Sequence, residues 1–245
     1  LNYNWKGRYL FETSGRYDGS SKFPTNQQWG FFPSASLGWR ISEEPWMEPL
    51  RKRFLDNLKL RVSIGEAGNG LVSPYQYLST MSVSRGTSII NGKLANYTQA
   101  PAPVPSGLTW EKVITYNLGV DIDMFKNRFT FSFDIYRKNT KDMYVVGDEL
   151  PAVYGNSAPK GNNADMRTDG WEISLGWRDR VMVAGSPLSY HVKAALWNAS
   201  SKITKYTATT NTITSYYKGK EVGEIWGFDC LGFFQSKEDV QNSPD

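Results

Sequence analysis

Apolar and polar residues alternate one for one along much of this chain. From Trp5 the odd positions read Trp5, Gly7, Tyr9, Phe11, Thr13, Gly15 and Tyr17, while the even positions read Lys6, Arg8, Leu10, Glu12, Ser14, Arg16 and Asp18. A period of two places alternate side chains on opposite faces of a β-strand, so this segment predicts a strand with one apolar and one charged face. The breaker-rich run Asp18-Gly19-Ser20-Ser21 predicts the turn that ends it. The pattern returns with Trp29, Phe31, Pro33, Ala35, Leu37, Trp39 and Ile41 on one face. A short helix is expected in the stretch after it, with Pro45 near its first turn and a basic run to Phe54. A third strand carries Leu58, Leu60, Val62 and Ile64 against Asn57, Lys59, Arg61 and Ser63.

From about Gly65 to Gly107 the period is lost, and a long loop is expected, including Pro101-Ala102-Pro103-Val104-Pro105. The clearest alternation follows: Trp110, Ile114, Tyr116, Leu118, Val120, Ile122 and Met124 against Glu111, Val113, Thr115, Asn117, Gly119, Asp121 and Asp123. A tight turn at Lys126-Asn127 then leads to Phe129, Phe131, Phe133 and Ile135, which predicts a hairpin. A second loop, Pro151 to Gly170, precedes a strand with Trp171, Ile173, Leu175 and Trp177. A link over 179–187 precedes another strand with Leu188, Tyr190, Val192, Ala194 and Leu196, and a polar loop is expected over 205–245. The total is about seven strands, several of roughly 10 to 16 residues, with short and long connections in alternation. Soluble strands average about 5 or 6 residues, whereas a tilted membrane crossing needs about 9 to 11. The alternation of short turns and long loops is a mark of outer-membrane barrels.

Composition sharpens the choice. No run approaches the roughly 20 apolar residues of a membrane helix, but a barrel strand shows lipid only every second side chain, which dilutes any average. Aromatics make up 14% of the 245 residues, a level that interfacial girdles or sugar-binding surfaces both reach. Trp5 and Tyr17, Trp29 and Trp39, and Trp110 and Met124 bracket their apolar faces, as girdles at two interfaces require. The polar face would line a lumen, where Lys59 and Arg61 are expected to meet Asp121 and Asp123, each pair worth about 0.2 to 1 kcal/mol. The same period also suits a soluble β-rich carbohydrate-binding module or glycosidase domain, whose apolar face would turn inward, or a structural barrel segment of a secretion machine. The net charge of +4 is scattered, which argues against nucleic acid as a partner. One cysteine, Cys230, and one histidine, His191, exclude an internal disulfide and a two-histidine metal site. Leu1–Trp5 is already strand-like and Ser243-Pro244-Asp245 closes no element, so a piece of a longer protein is expected.

Several segments resemble the later barrel of SusC/RagA-type TonB-dependent transporters. They include Ser14-Gly15-Arg16-Tyr17-Asp18-Gly19, Phe32-Pro33-Ser34-Ala35-Ser36-Leu37-Gly38-Trp39, Leu58-Lys59-Leu60-Arg61-Val62, and Asn117-Leu118-Gly119-Val120-Asp121. Phe133-Asp134-Ile135-Tyr136-Arg137-Lys138-Asn139, Asn162-Asn163 before Thr168-Asp169-Gly170, and Gly223-Glu224-Ile225-Trp226-Gly227-Phe228 extend the match over nearly the whole chain. The resemblance implies an all-β fold: part of a 22-stranded antiparallel transmembrane β-barrel in a bacterial outer membrane, with residues 1–245 a partial barrel domain. It further implies import of oligosaccharides or peptides without catalysis, a SusD-like surface lipoprotein as partner, and TonB contact through an N-terminal plug region upstream.

Candidate chemistry is sparse. Asp121 and Asp123 share a strand face about 7 Å apart; they could hold a cation or act as acid and base, but pairing with lumenal Lys and Arg is the expected role. Gly65-Glu66-Ala67-Gly68-Asn69-Gly70 lacks the Gly-Lys-Ser/Thr of a phosphate loop and reads as a strand exit. His191 has no acid placed for a triad, and Cys230 is expected to pack among aromatics. No catalytic, cofactor or metal residue is assigned. Tyr75, Tyr77, Tyr97, Tyr154, Tyr216, Tyr217 and Trp226 are loop aromatics that could stack on sugars or meet the lid lipoprotein.

Overall fold

The computed structural model describes residues 1–99, 101, 103–105, 107–147, 150–156 (Tyr154 by its backbone), 158–206, 213, 215–230 and 232–243. Its strands are β1 (Asn2–Trp5), β2 (Tyr9–Gly19), β3 (Trp29–Arg40), β4 (Leu55–Asn69), β5 (Val83–Ile90), β6 (Lys93–Thr98), β7 (Glu111–Met124), β8 (Phe129–Val146), β9 (Lys160–Val183) and β10 (Ser186–Lys205). Short helices α1 (Glu48–Arg53) and α2 (Lys237–Gln241) lie outside the sheets. Eight strands form one antiparallel meander in the order β1-β2-β3-β4-β7-β8-β9-β10, and β5 pairs with β6 alone. Among the described residues β1 and β10 do not pair, so the sheet is an open wall.

The strand count exceeds the expected seven for identifiable reasons. The run that reads as one strand from Trp5 to Tyr17 is a hairpin, turned at Lys6 and Gly7, both in the left-handed region. Trp5 pairs with Tyr9, and residues four apart share parity, so the apolar face continues across the turn and hides it. The expected loop 65–107 holds the β5–β6 hairpin, turned at Asn91-Gly92 with φ of 53° and 75°. That dipeptide between Ile90 and Lys93 is a strong hairpin signal in its own right. β9 begins at Lys160, inside the expected loop 151–170, and the expected link over 179–187 contracts to Ala184-Gly185. The helix after β3 forms as expected: Pro45 opens a 3-10 turn and Pro49 sits in the first turn of α1.

Register sorts the side chains into rows that cross the sheet. One row runs Trp5, Tyr9, Trp39, Leu60, Val120, Phe133, Ile173, Leu196. The next runs Tyr3, Phe11, Leu37, Val62, Leu118, Ile135, Trp171. Most of these large apolar groups are exposed, Leu37 at 59% and Leu196 at 67%, while Phe11, Leu60, Val120, Phe133 and Ile173 are half-buried. A contiguous apolar surface of this extent is rare on a monomeric soluble domain and marks a site of contact with a partner or a membrane. Two aromatic clusters mark its ends on β2–β3. Trp5, Tyr9 and Trp39 gather at one end, and Tyr17 stacks on Trp29 at 5.1 Å at the other.

Trp110 departs from the expected girdle. It is buried with Phe23, Phe32, Val72 and Leu108, where the long connections leave the sheet. Its indole Nε1–H donates to the Gln28 carbonyl at 3.2 Å, which draws it into this cluster and off the apolar band. A Cβ on Gly68 would overlap the Phe32 ring, and one on Gly70 would crowd Trp110, so these glycines seat aromatic rings. A wall one sheet thick has no interior, and among the described residues this loop-end cluster is its main buried apolar group.

Candidate functional site on the polar face

The opposite face of the sheet is polar and holds an ion-pair network at its centre. Lys59 lies opposite Asp121 in register, but Arg61, its diagonal neighbour, takes the carboxylate. The Arg61 guanidinium donates through Nε to Asp121 Oδ2 at 2.7 Å and through Nη2 to Oδ1 at 3.0 Å. The same Nη2 reaches Asp134 Oδ2 at 3.0 Å, one strand further on. It crosses β7 at Gly119, which stands between Arg61 and Asp134 in the register. A Cβ there would collide with Asp134 Oδ1 and come within 2.8 Å of the guanidinium, so the bridge exists because the crossing residue has no side chain. Ser132 Oγ donates to Asp121 at 3.0 Å, and Asn117 Nδ2 donates to Asp134 at 3.0 Å. Asp123 accepts from Asn57 Nδ2 at 3.1 Å. Thus the expected Arg61–Asp121 contact forms, while Asp123 pairs with an amide and not with Lys59. Asp121 and Asp123 are held by different partners, which leaves the cation or acid–base reading without support. Neither Asp134 nor Gly119 was legible as a partner, because only register brings them to Arg61.

At the short-turn end, the 41–54 connection is clipped to the sheet through Glu44. Its carboxylate accepts from Tyr9 Oη at 2.8 Å and Trp39 Nε1 at 3.1 Å, with Arg8 at 3.7 Å. The Tyr9 and Trp39 hydrogen bonds hold the Glu44 carboxyl below its usual range. At the long-loop end Asn162 acts as a backbone mimic: its Oδ1 accepts from the Thr109 N–H at 3.0 Å, and its Nδ2 donates to Thr109 O at 3.0 Å and to Asp142 O.

The loop aromatics do not converge. Tyr75 is exposed, Tyr77 packs against the buried cluster, and Tyr97 stands on β6. Tyr216 and Tyr217 flank Lys220 at 5.9 and 5.6 Å, and Trp226 donates to Glu224 at 2.9 Å. The Tyr154 side chain falls outside the described residues. His191 lies on β10 opposite Arg178. Cys230 is exposed and not packed as expected; Ile225, Phe228 and Phe233 around it are exposed too, because this segment lies on no element of the chain. Among the described residues no cluster of His, Cys, Asp and Glu is placed to hold a metal.

The family model described as TonB dependent receptor-like, beta-barrel, matches residues 1–227. The chain belongs to the TonB-dependent receptor β-barrel family. It is 29% identical over 249 residues to TonB-dependent receptor P39 of Formosa agariphila, covering 100% of this chain and 23% of that protein. It is 31% identical over 217 residues to TonB-dependent receptor SusC of Bacteroides thetaiotaomicron, covering 84% and 20%. The chain therefore spans about a fifth to a quarter of the length of the curated relatives it matches. Among solved structures, the RagAB peptide transporter matches with a TM-score of 0.71 at 23% identity, over 84% of this chain and 22% of that one. The RagAB peptide importer in its open-open state matches at 0.70 and 24% identity, over 83% and 21%. The likeness to SusC agrees with the SusC/RagA-type resemblance of the sequence, and the RagAB structures share the fold. In such a transmembrane barrel the apolar rows face lipid and the Arg61 network faces the lumen.

Proposed function

We propose that residues 1–245 form part of a single barrel domain in an outer-membrane transporter that imports oligosaccharides or peptides. A SusD-like surface lipoprotein acts as its partner, and TonB drives it through a segment outside this chain. The protein carries cargo and performs no catalysis. The observation that carries this reading is the two-faced wall: apolar rows outside, and a hydrogen-bonded ion-pair lattice inside. The family match supports transport, the RagAB neighbours, described as a peptide transporter, support the peptide class, and the SusC/RagA-type resemblance of the sequence supports oligosaccharides and the lipoprotein partner.

The test is genetic and biochemical. A strain lacking the full-length gene should lose uptake of one class of fluorescently labelled oligosaccharides or peptides while retaining others. Affinity isolation of the full-length protein from outer membranes should bring down a lipoprotein in fixed ratio. Unchanged uptake of both classes, or recovery of the protein in the aqueous fraction, overturns the proposal.

A further inference from the structure

The lipid-facing surface is not apolar throughout. Next to the row that ends in Ile135 and Trp171, toward the long-loop end, the register places Arg137 beside Asp169, and the row beyond places Arg167 beside Lys202. Parity keeps Arg137, Asp169 and Arg167 on the same face as Ile135 and Trp171, so these charges point outward and not into the lumen. Asp169 accepts from Arg137 Nε at 2.6 Å, and Arg167 Nε approaches its second oxygen at 3.0 Å. Glu221 stands opposite Lys202 and accepts from Ser200, the neighbour of Asp169 in register, so Arg137, Arg167 and Lys202 meet two carboxylates and leave one positive charge in excess. Both guanidiniums engage Asp169 through Nε, which leaves their terminal amino groups as donors, the fork that matches a phosphate. Their side chains are 54% and 42% exposed.

Beside this patch lies an open groove of about 1160 Å³. Leu37, Val62, Ile64, Leu118 and Ile135 line it, and Arg137 and Asp169 stand at one end. Depth decides what could fill it. Trp177, near the short-turn end, and Asp169 lie on one strand; at about 3.3 Å per residue and about 45° of tilt they are separated by roughly 19 Å along the membrane normal. The apolar band of such a barrel is about 25 Å tall, so the charged row lies just under the far headgroups, and the long Arg137 and Arg167 side chains extend outward to keep their charges at headgroup level, because charge within the hydrocarbon is costly. Long loops mark the outward end of an outer-membrane barrel, so this is the outer leaflet.

We propose that the groove and its charged end bind a phosphate-bearing lipid of the outer leaflet, with an acyl chain along Leu37–Ile135 and the phosphate between Arg137 and Arg167. This inference rests on the transmembrane reading above. The test uses the full-length transporter, extracted from outer membranes in mild detergent and washed free of loosely held lipid. Native mass spectrometry and a phosphorus assay then count retained lipid phosphate. The double variant Arg137→Gln/Arg167→Gln should retain about tenfold less than wild type, the scale expected for losing charged hydrogen bonds. Asp169→Asn, which removes the competing carboxylate, should retain as much or more, and lumenal Lys59→Gln should be unchanged. Re-addition of total outer-membrane lipid should restore the bound phosphate to wild type, whereas the same lipid after chemical dephosphorylation, or inorganic phosphate alone, should not. Should the double variant fail to reach the membrane, Arg137→Lys and Arg167→Lys keep the charge, lose the fork, and should each show a partial loss.

Equal retention in wild type and the arginine variants overturns the inference, as does a loss in Asp169→Asn as large as in the double variant. Binding of dephosphorylated lipid as strong as that of intact lipid also overturns it. Wild-type protein that never fractionates with the outer membrane would instead overturn the transmembrane reading itself, so the two failures are distinct.

Discussion

Replacing Gly119 with alanine should break the lumenal network without touching a charge. The added Cβ would collide with Asp134 Oδ1 and with the Arg61 guanidinium, so Arg61 must give up its arm to Asp134 and keep Asp121. Arg61, Asp121 and Asp134 are partly exposed, at 32%, 30% and 21% of their side chains, which discounts the Coulomb attraction. The lost charged hydrogen bond is then worth about 1.5 kcal/mol, the low end for such bonds. Alanine returns about 0.5 kcal/mol, because glycine is the poorer strand residue. The net destabilisation is about 1 kcal/mol. A double-mutant cycle isolates the cause. In an Asp134→Ala background both the acceptor and the colliding oxygen are already gone, so Gly119→Ala should there be close to neutral. The measurement is urea unfolding of the full-length barrel in detergent, followed by tryptophan fluorescence with wild-type and variant m-values compared. If the two substitutions add, or if Gly119→Ala stabilises the wild type, the bridge across β7 contributes nothing and the reasoning is wrong.

Three other outcomes follow from the geometry. Gly68→Ala should destabilise by about 1 to 3 kcal/mol, the usual cost of overpacking, because its Cβ overlaps Phe32 in the loop-end cluster; the same unfolding assay would show no shift if the ring simply moves aside. Glu44 has a folded-state carboxyl held below its ordinary value by Tyr9 and Trp39, so its contribution is present at neutral pH and above the unfolded value, and fades as pH falls through the lowered one. Trp39 emission should change across that acid window in the wild type and stay flat there in Glu44→Gln. Asn162→Ala removes the bonds to both backbone groups of Thr109, so hydrogen exchange at the Thr109 amide should accelerate by at least about tenfold, the factor that matches about 1.4 kcal/mol; unchanged protection would show that the loop is held elsewhere.

The sequence by itself determined which side chains share a face, because strand parity is a local property of consecutive residues. The apolar rows through Leu60, Val120 and Phe133, the polar positions at Arg61 and Asp121, the turn at Lys126-Asn127 and the helix opened by Pro45 were all legible for that reason. So was the family, whose motifs lie within single strands and turns. What one strand meets on the next was not legible, because register is set by turns and by pairing between residues far apart in the chain. The hairpin at Lys6-Gly7 hid behind unbroken parity. Trp110 followed its hydrogen bond into the loop-end cluster, away from the apolar band its parity suggested. Asn91-Gly92 did signal its hairpin locally, but the irregular stretch around it masked the period. The Arg61 lattice shows the division most clearly. Local alternation put an arginine and two aspartates on one face; only the eight-stranded sheet placed Gly119 between Arg61 and Asp134 and so let one guanidinium hold two carboxylates.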